Sequence, residues 1–268
     1  MELTPAERTI WAIIGLNSIV FGAWKVPRLT PFMERWFMHH PAHGKSITLL
    51  TSIFSHQHFW HFGLNMFALH SFAMPLHEHM GREQFLAFYL TTGLTASLAS
   101  HLFTVARVSW AKMIPSLGAS GALFGCLSSI AYLYPNASAY IIFLPFLSFK
   151  MPVAVGAMMA LDLAGVIRNW RIFDHYAHLA GSTFGLAYIY AGKDCMWSPL
   201  QQKAIELNKD TYLFGKLNSK SPAQTDVTGS LGNGNADMEG RSAKEIAVAR
   251  YNKIKAWWDI KRSGGDRE

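Results

Sequence analysis

Apolar residues are concentrated in six segments of the chain, at about 9–24, 58–76, 84–106, 117–134, 151–167 and 175–192. Several are shorter than the roughly 20 residues that cross a bilayer upright. Polar side chains interrupt them at Asn17, Asn65, Ser120, Asp162 and His178. Such groups are unfavourable at membrane depth, and they usually face the interior of a helix bundle or a water-filled cavity. The pattern therefore predicts an all-α, polytopic membrane protein with polar groups inside the bundle.

Two stretches between these segments fit neither a spanning helix nor a solvated loop. The stretch 25–57 contains three prolines and a histidine-rich patch, and its aromatic residues indicate contact with the membrane surface. The apolar run 140–149 is too short to span and is broken by Pro145. We expect it to lie at the interface before the fifth helix.

Composition supports a membrane-embedded body with a solvated tail. Half of the residues are hydrophobic and 15% are charged, whereas soluble domains carry roughly 25% charged residues. Residues 1–192 hold 11 Lys and Arg and 7 Asp and Glu, while the shorter stretch 193–268 holds 13 and 10. We predict a membrane domain at 1–200, a flexible linker rich in Ser, Gly and Asn at 201–240, and a basic amphipathic tail at 241–268.

Charge and cysteine content exclude several functions. The formal charge is +7, but no dense run of Lys and Arg indicates a nucleic-acid partner. The two cysteines, Cys126 and Cys195, are far apart and form no CxxC pair. Neither a structural disulfide nor a zinc site is therefore predicted.

The sequence Gly118-Ala119-Ser120-Gly121 begins the fourth apolar segment. Small residues spaced four apart, such as Gly121 and Gly125, commonly mark close helix packing. On this stretch alone, packing is favoured over catalysis for Ser120.

The sixth apolar segment changes that balance. His178 shares a helix face with Gly181 and Gly185, at spacings of three and seven. Glycines on both helices would let the two backbones approach closely. A nucleophilic pair requires this approach, because the serine Oγ and an imidazole nitrogen must come within about 2.6–3.2 Å.

The second apolar segment offers donors for an oxyanion. His61 and Asn65 are four residues apart, hence on one helix face, and each carries a side-chain N–H. Taken alone, a capped helix start with a polar contact between helices is the better interpretation of this pair.

Together these motifs resemble the rhomboid family of intramembrane serine proteases: HxxxN on the second helix, GASG on the fourth and AHLAG on the sixth, in the family's order. The likeness covers about residues 8–200 and implies a six-transmembrane-helix core. It implies Ser120 as nucleophile and His178 as base, with His61, Asn65 and the Ser120 N–H forming the oxyanion hole. Gly118 would shape the loop before the serine, and Phe124 would stack on the histidine.

The resemblance is nearer to the mitochondrial branch of the family, on four stretches: 115–122, 141–145, 162–165 and 173–178. It implies the mitochondrial inner membrane, with another cellular membrane as the alternative. Members of that branch carry a targeting sequence and an extra helix before the core. Neither is visible ahead of the first apolar segment, so we expect a fragment, a processed form or a truncated sequence. The implied partners are transmembrane protein substrates and the lipid bilayer, and no cofactor is implied.

Two acidic residues near the motifs have modest predicted roles. Asp174 lies one turn before His178, and an N-cap of the sixth helix is favoured over orientation of the histidine. Asp162 is an intramembrane acid, for which the family likeness suggests a structural hydrogen bond. The sequence therefore predicts a Ser–His dyad without a third member.

Two other classes of function remain as alternatives. A catalytically inactive rhomboid-like protein that binds membrane clients has the same fold but lacks the Ser–His pair. A metal or haem protein of the membrane is the second alternative, and its candidate ligands are His56, His58, His61, His77 and His79. Their spacings of two and three are loose, and no carboxylate or cysteine cluster accompanies them, so no metal site is predicted.

Overall fold

A computed structural model describes residues 2–42, 45–109, 113–141, 144–170 and 172–210. The chain divides into two compact units, 1–190 and 191–268. Most of the predicted linker and all of the predicted tail lie outside the described residues. The first residues of that linker belong to a helix, α10, at Ser198–Asp210.

The first unit is built mainly of helices. These are α1 (Pro5–Trp24), α2 (Thr30–Phe37), α3 (Thr48–Thr51), α4 (Phe59–Ala68), α5 (Met74–Met80), α6 (Arg82–Arg107), α7 (Ser120–Leu133), α8 (Met151–Arg168) and α9 (His175–Ala187). A π-helical segment, Leu69–Ala73, joins α4 to α5, and a second one, Tyr188–Trp197, follows α9. The six predicted apolar segments fall on α1, α4 to α5, α6, α7, α8 and α9.

Local sequence sets the ends of these helices. Thr4 caps α1 in a capping box with Glu7, and Pro5 occupies the first turn, where its missing N–H is tolerated. Asn169 ends α8 in the left-handed conformation at φ 55°, which asparagine adopts more readily than most residues. The Asp174 side chain accepts the Ala177 N–H at the start of α9, which confirms the predicted N-cap.

The stretch between α1 and α4 bends sharply away from α1. The axis of 27–37 makes an angle of 96° with that of α1. A 3₁₀ turn at Ser52–Phe54 then leads toward α4. The stretch therefore does not continue the direction of α1.

The apolar run 140–149 belongs to an antiparallel hairpin rather than to a helix. Strand β1 (Ser138–Ile141) pairs with β2 (Leu144–Lys150) ahead of α8. Tyr140 and Phe146 are strongly exposed on it. The hairpin is a small addition to an otherwise helical unit.

Helices α7 and α9 approach each other through their glycines. A Cβ built at Gly181 would overlap the carbonyl oxygen of Gly121, and one at Gly185 would overlap that of Gly125. Below this contact, the Ser128 hydroxyl donates to the Ser182 carbonyl at 2.9 Å. The contact therefore requires glycine, as the motif predicted.

By length and composition, one helix of the described part, Met151–Arg168, is apolar enough to cross a membrane unaided. Pro5–Trp24 together with 27–37 would count as a second, broken span. The remaining helices carry more polar residues or are shorter.

Candidate active site

Ser120 and His178 meet where α7 and α9 cross. Ser120 is the first residue of α7, and His178 lies in the first turn of α9. The Ser120 hydroxyl donates to His178 Nε2 at 2.9 Å, within the range that proton transfer needs. The structure thus brings together the two residues that the motifs singled out.

Two aromatic residues enclose the His178 ring. Phe124, one turn after Ser120, stacks on it with centroids 4.0 Å apart and an interplanar angle of 8°. Phe173 lies at 6.3 Å from the ring. His178 itself is 7% exposed. The imidazole is held between apolar surfaces, and its two nitrogens point at polar partners.

The second nitrogen of His178 contacts Asp162 of α8. The His178 Nδ1–H donates to Asp162 Oδ1 at 3.1 Å, and the His175 Nδ1–H donates to the same oxygen at 2.6 Å. The structural hydrogen bond that the family likeness implied for Asp162 is therefore present. Asp162 thus places an acceptor on the nitrogen of His178 that lies opposite Ser120. Sequence spacing could not place α8 against α9.

The loop before Ser120 is fixed by backbone hydrogen bonds. Gly118 adopts φ +133°, a conformation that side chains disfavour, and its N–H donates to the Ser52 carbonyl at 2.9 Å. Ser116 exchanges two backbone hydrogen bonds with His39, at 3.0 and 2.8 Å. The Ser120 N–H is the first of α7, where a backbone amide has no partner within the helix. It is available to an oxyanion.

His56 holds the same loop and was not among the predicted site residues. The Ala119 N–H donates to His56 Nε2 at 3.4 Å, and the His56 ring is fully buried against His61, with centroids 5.0 Å apart. Burial lowers the pKa of His56 to about 3, and repulsion from a charged His61 adds to this effect. A neutral ring is what an acceptor nitrogen requires.

His61 and Asn65 lie on the α4 face that the motif predicted. A Cβ at Gly118 would be 2.7 Å from His61 Cε1, so glycine is what admits the His61 ring beside the loop. Asn65 Nδ2 donates to the His61 carbonyl at 2.7 Å. One amide hydrogen of Asn65 is therefore engaged within the helix, and the second is left for another acceptor.

A cavity of about 20 Å³ opens beside Ser120. Its walls include Ser52, Ser97, Ser116 and Asp174. The Asp174 carboxylate also accepts a hydrogen bond from Ser100 at 2.7 Å. A polar space of this size is large enough for one water molecule.

Two histidines of the metal alternative are bonded to groups in different parts of the bundle. His56 bonds the Ala119 amide, and His77 Nε2 lies 3.0 Å from Thr9 Oγ1 of α1. In the part of the chain that the structure describes, no three His, Cys, Asp or Glu side chains are grouped so as to hold a metal ion.

The described part of the chain is thus a helical bundle in which a serine and a histidine are paired between two glycine-lined helices. The family model for the rhomboid domain matches residues 43–194. The chain belongs to the rhomboid family.

Curated relatives within that family are similar over most of this chain. Presenilin-associated rhomboid-like protein A, mitochondrial, of Danio rerio is 37% identical over 196 residues, which are 73% of this chain and 50% of the relative. The mouse presenilin-associated rhomboid-like protein, mitochondrial, is 39% identical over 197 residues, 73% of this chain and 52% of the relative. Rhomboid protein 1, mitochondrial, of Saccharomyces cerevisiae is 37% identical over 193 residues, 69% of this chain and 53% of the relative. The chain spans about half the length of these relatives.

Proposed function

We propose that this protein is an intramembrane serine endopeptidase that cleaves peptide bonds within or beside the transmembrane segments of other membrane proteins. The observation that carries the proposal is the hydrogen bond of 2.9 Å between Ser120 Oγ and His178 Nε2, with Asp162 on the opposite nitrogen. A purely structural serine would not need an imidazole oriented in this way. Membership of the rhomboid family supports the same reaction class.

The geometry suggests a role for each group. Because Nδ1–H is given to Asp162, the Nε2 atom of His178 is the unprotonated nitrogen and accepts the Ser120 proton. Ser120 Oγ then attacks the scissile carbonyl. The oxyanion that forms would accept hydrogen bonds from the Ser120 N–H and from the half-buried His61 side chain, with Asn65 as a further donor. His178 returns the proton to the leaving amine.

Completion of turnover requires water at the acyl-enzyme. The polar cavity beside Ser120 could hold one water molecule next to the ester carbon. His178 would take a proton from that water, so that hydroxide attack releases the cleaved chain and restores Ser120. None of these steps uses a metal or a cofactor.

The substrate must offer a strand-like carbonyl to Ser120. Helical hydrogen bonds shield the backbone of a transmembrane segment, so the segment has to unwind near the cut. We therefore expect small or helix-breaking residues close to the scissile bond.

We further propose six membrane-spanning segments, formed by α1, α4 with α5, α6, α7, α8 and α9. We assign the protein to the mitochondrial inner membrane, since its curated relatives are named as mitochondrial.

The test is cleavage of a single-span substrate by the purified protein in liposomes. Wild type should cleave it, and Ser120→Ala and His178→Ala should each abolish cleavage while the thermal unfolding midpoint changes little. A chelator such as EDTA should have no effect. Full cleavage by Ser120→Ala would overturn the proposal, and loss of cleavage with EDTA would favour the metal alternative.

A non-catalytic, client-binding role is the other outcome of this experiment. In that case the wild type would bind single-span proteins without cutting them. A serine-directed fluorophosphonate would then leave Ser120 unlabelled. Labelling at Ser120 in the wild type, lost in His178→Ala, supports the enzyme.

A further inference from the structure

One carboxylate oxygen in the candidate active site is shared by two histidines. Asp162 Oδ1 accepts the Nδ1–H of His175 at 2.6 Å and that of His178 at 3.1 Å. The three residues are 4%, 4% and 7% exposed. His175 and His178 are three residues apart on α9 and so present the same helix face to α8. The shorter of the two bonds belongs to His175, which has no contact with Ser120 in the proposed mechanism.

The residues around His175 pack closely against its ring. A Cβ at Gly165 would overlap that ring, so α8 carries a glycine where His175 packs against it. Trp170 and Phe173 lie at 6.3 and 6.1 Å from the ring. The His175 ring is thus surrounded by a glycine backbone and two aromatic rings.

The second nitrogen of His175 suggests why a histidine stands there. Its Nε2 is buried and has no hydrogen-bond partner among the described residues. A buried polar atom without a partner is unfavourable. An apolar side chain of similar volume would fill the space without this penalty. The bond from Nδ1 to Asp162 is therefore what distinguishes a histidine from an apolar residue at this place.

We infer that His175 is a positioning residue that acts through Asp162 on the catalytic histidine. With His178 alone as donor, the Asp162 carboxylate could rotate about its terminal bond and turn Oδ1 away from His178. The second donor fixes that rotation. Oδ1 then faces the His178 Nδ1–H, and the imidazole keeps Nε2 toward Ser120. The inference rests on the proposed function, because positioning has meaning only if His178 activates Ser120.

Three substitutions of His175 separate hydrogen bonding from packing. In His175→Asn the amide nitrogen occupies roughly the place of Nδ1, so the donor is kept. In His175→Gln the amide lies about one bond further out, near the place of Nε2, and the donor is misplaced. His175→Phe keeps a ring of similar shape and removes the donor. The Asn and Gln variants differ by one methylene and form the matched pair.

Two measurements report on Ser120 in each full-length variant reconstituted in liposomes. One is the rate constant for labelling of Ser120 by a fluorophosphonate, and the other is kcat and KM on a single-span substrate. We expect His175→Phe and His175→Gln to lower kcat and labelling on the order of 10- to 100-fold, the size of a hydrogen bond to a charged group. KM should stay unchanged, and His175→Asn should recover most of both rates.

Coupling to Asp162 provides the decisive readout. In an Asp162→Asn background, His175→Phe should lower labelling by no more than about threefold further, because the group through which it acts is already altered. An equal loss in both backgrounds would overturn the inference and show that His175 acts by packing. Wild-type labelling rates in His175→Phe and His175→Gln would overturn it as well. If His175→Phe fails to fold, equal rates in the Asn and Gln variants would have the same consequence.

Failure of the inference differs from failure of the proposed function. If the wild type is not labelled at Ser120, the proposed function fails. If the wild type is labelled and the His175 variants are labelled equally fast, only the role of His175 fails.

Discussion

The contact between α7 and α9 allows a methyl group to be used as a probe of active-site geometry. Gly181 lies one turn after His178, and its Cα faces the backbone of Gly121, the residue that follows Ser120. The methyl group of Gly181→Ala would overlap the Gly121 carbonyl. Because backbone atoms, and not a flexible side chain, are in the way, α9 must move away from α7. That movement would carry His178 away from Ser120.

The expected magnitudes follow from the contact. Inserting a methyl group into a filled helix interface destabilises a protein by about 1–3 kcal/mol, and the gain in helix propensity from Gly to Ala offsets about 1 kcal/mol of this. The larger consequence concerns the reaction. A displacement of about 1 Å at reacting groups can lower the rate on the order of 10²-fold. Gly181→Ala should therefore lose far more activity than stability.

Gly156 offers a matched control in α8. A Cβ at this position has nothing within 4 Å. Gly156→Ala should keep full activity and gain up to about 1 kcal/mol through helix propensity. Gly185→Ala introduces a similar clash, with Gly125, about two turns from His178. It should destabilise as Gly181→Ala does and lower activity less.

Cleavage of a single-span substrate and fluorophosphonate labelling of Ser120 measure activity, and thermal unfolding in detergent measures stability. Wild-type labelling in a folded Gly181→Ala protein would refute the argument that the glycine contact sets the Ser120–His178 distance. An equal loss of activity in Gly156→Ala would show that any methyl group added to a membrane helix has this effect.

Three further predictions concern the groups around the dyad. Asp162→Asn should lower the labelling rate of Ser120 by roughly 10²–10⁴-fold with little change in KM, because His178 loses the partner that selects its tautomer; an unchanged rate would make the observed carboxylate contact irrelevant. Asn65→Ala should lower kcat by less than the roughly 10²–10³-fold of a sole oxyanion donor, since other donors remain; a loss as complete as in Ser120→Ala would indicate a structural role. The thermal unfolding midpoint should fall on going from about pH 7.5 to about pH 5, and the decrease should be smaller in His39→Gln. A midpoint that does not depend on pH would contradict the burial of neutral histidines.

The sign of the pH effect follows from the hydrogen bonds of His39. The Thr48 hydroxyl donates to the Lys45 carbonyl at 2.6 Å, so it accepts from His39 Nδ1 at 2.8 Å, and His39 Nε2 is left to accept from His101 at 3.0 Å. Burial, with smaller contributions from His101 and His40, lowers the pKa of His39 from 6.5 to about 4. Below pH 6.5 the unfolded chain therefore binds a proton that the folded chain resists. The stabilisation is complete above that pH and is lost as the pH falls through about 4.

Short motifs were sufficient to predict much of the site. A serine flanked by glycines and a histidine followed by glycines at three and seven predicted a close helix pair, since only glycine permits such an approach. The N-cap role of Asp174 followed from its place directly before an apolar helical segment. These predictions concern residues whose local pattern already contains the geometry.

The groups that support the dyad could not be predicted in the same way. The family likeness implied a structural hydrogen bond for Asp162, but nothing in the spacing of α8 shows that its partners are His175 and His178. His56 was grouped with other histidines as a candidate ligand, although its acceptor role depends on the loop at Gly118, about 60 residues later in the chain. The hairpin at β1 and β2 was likewise hidden, because a short apolar run has no periodicity that separates strand from interfacial segment.

By itself the sequence determined the order of apolar segments, the glycine faces of α7 and α9 and the placement of Ser120 and His178 on them. These properties depend on residues within a turn or two of one another, where helical periodicity is sufficient. Only the tertiary structure decided that Asp162 accepts from both His175 and His178, and that His56 holds the Ala119 amide. The physical reason is that each of these hydrogen bonds joins separate elements. Its existence depends on how helices rotate and pack, which no local pattern specifies.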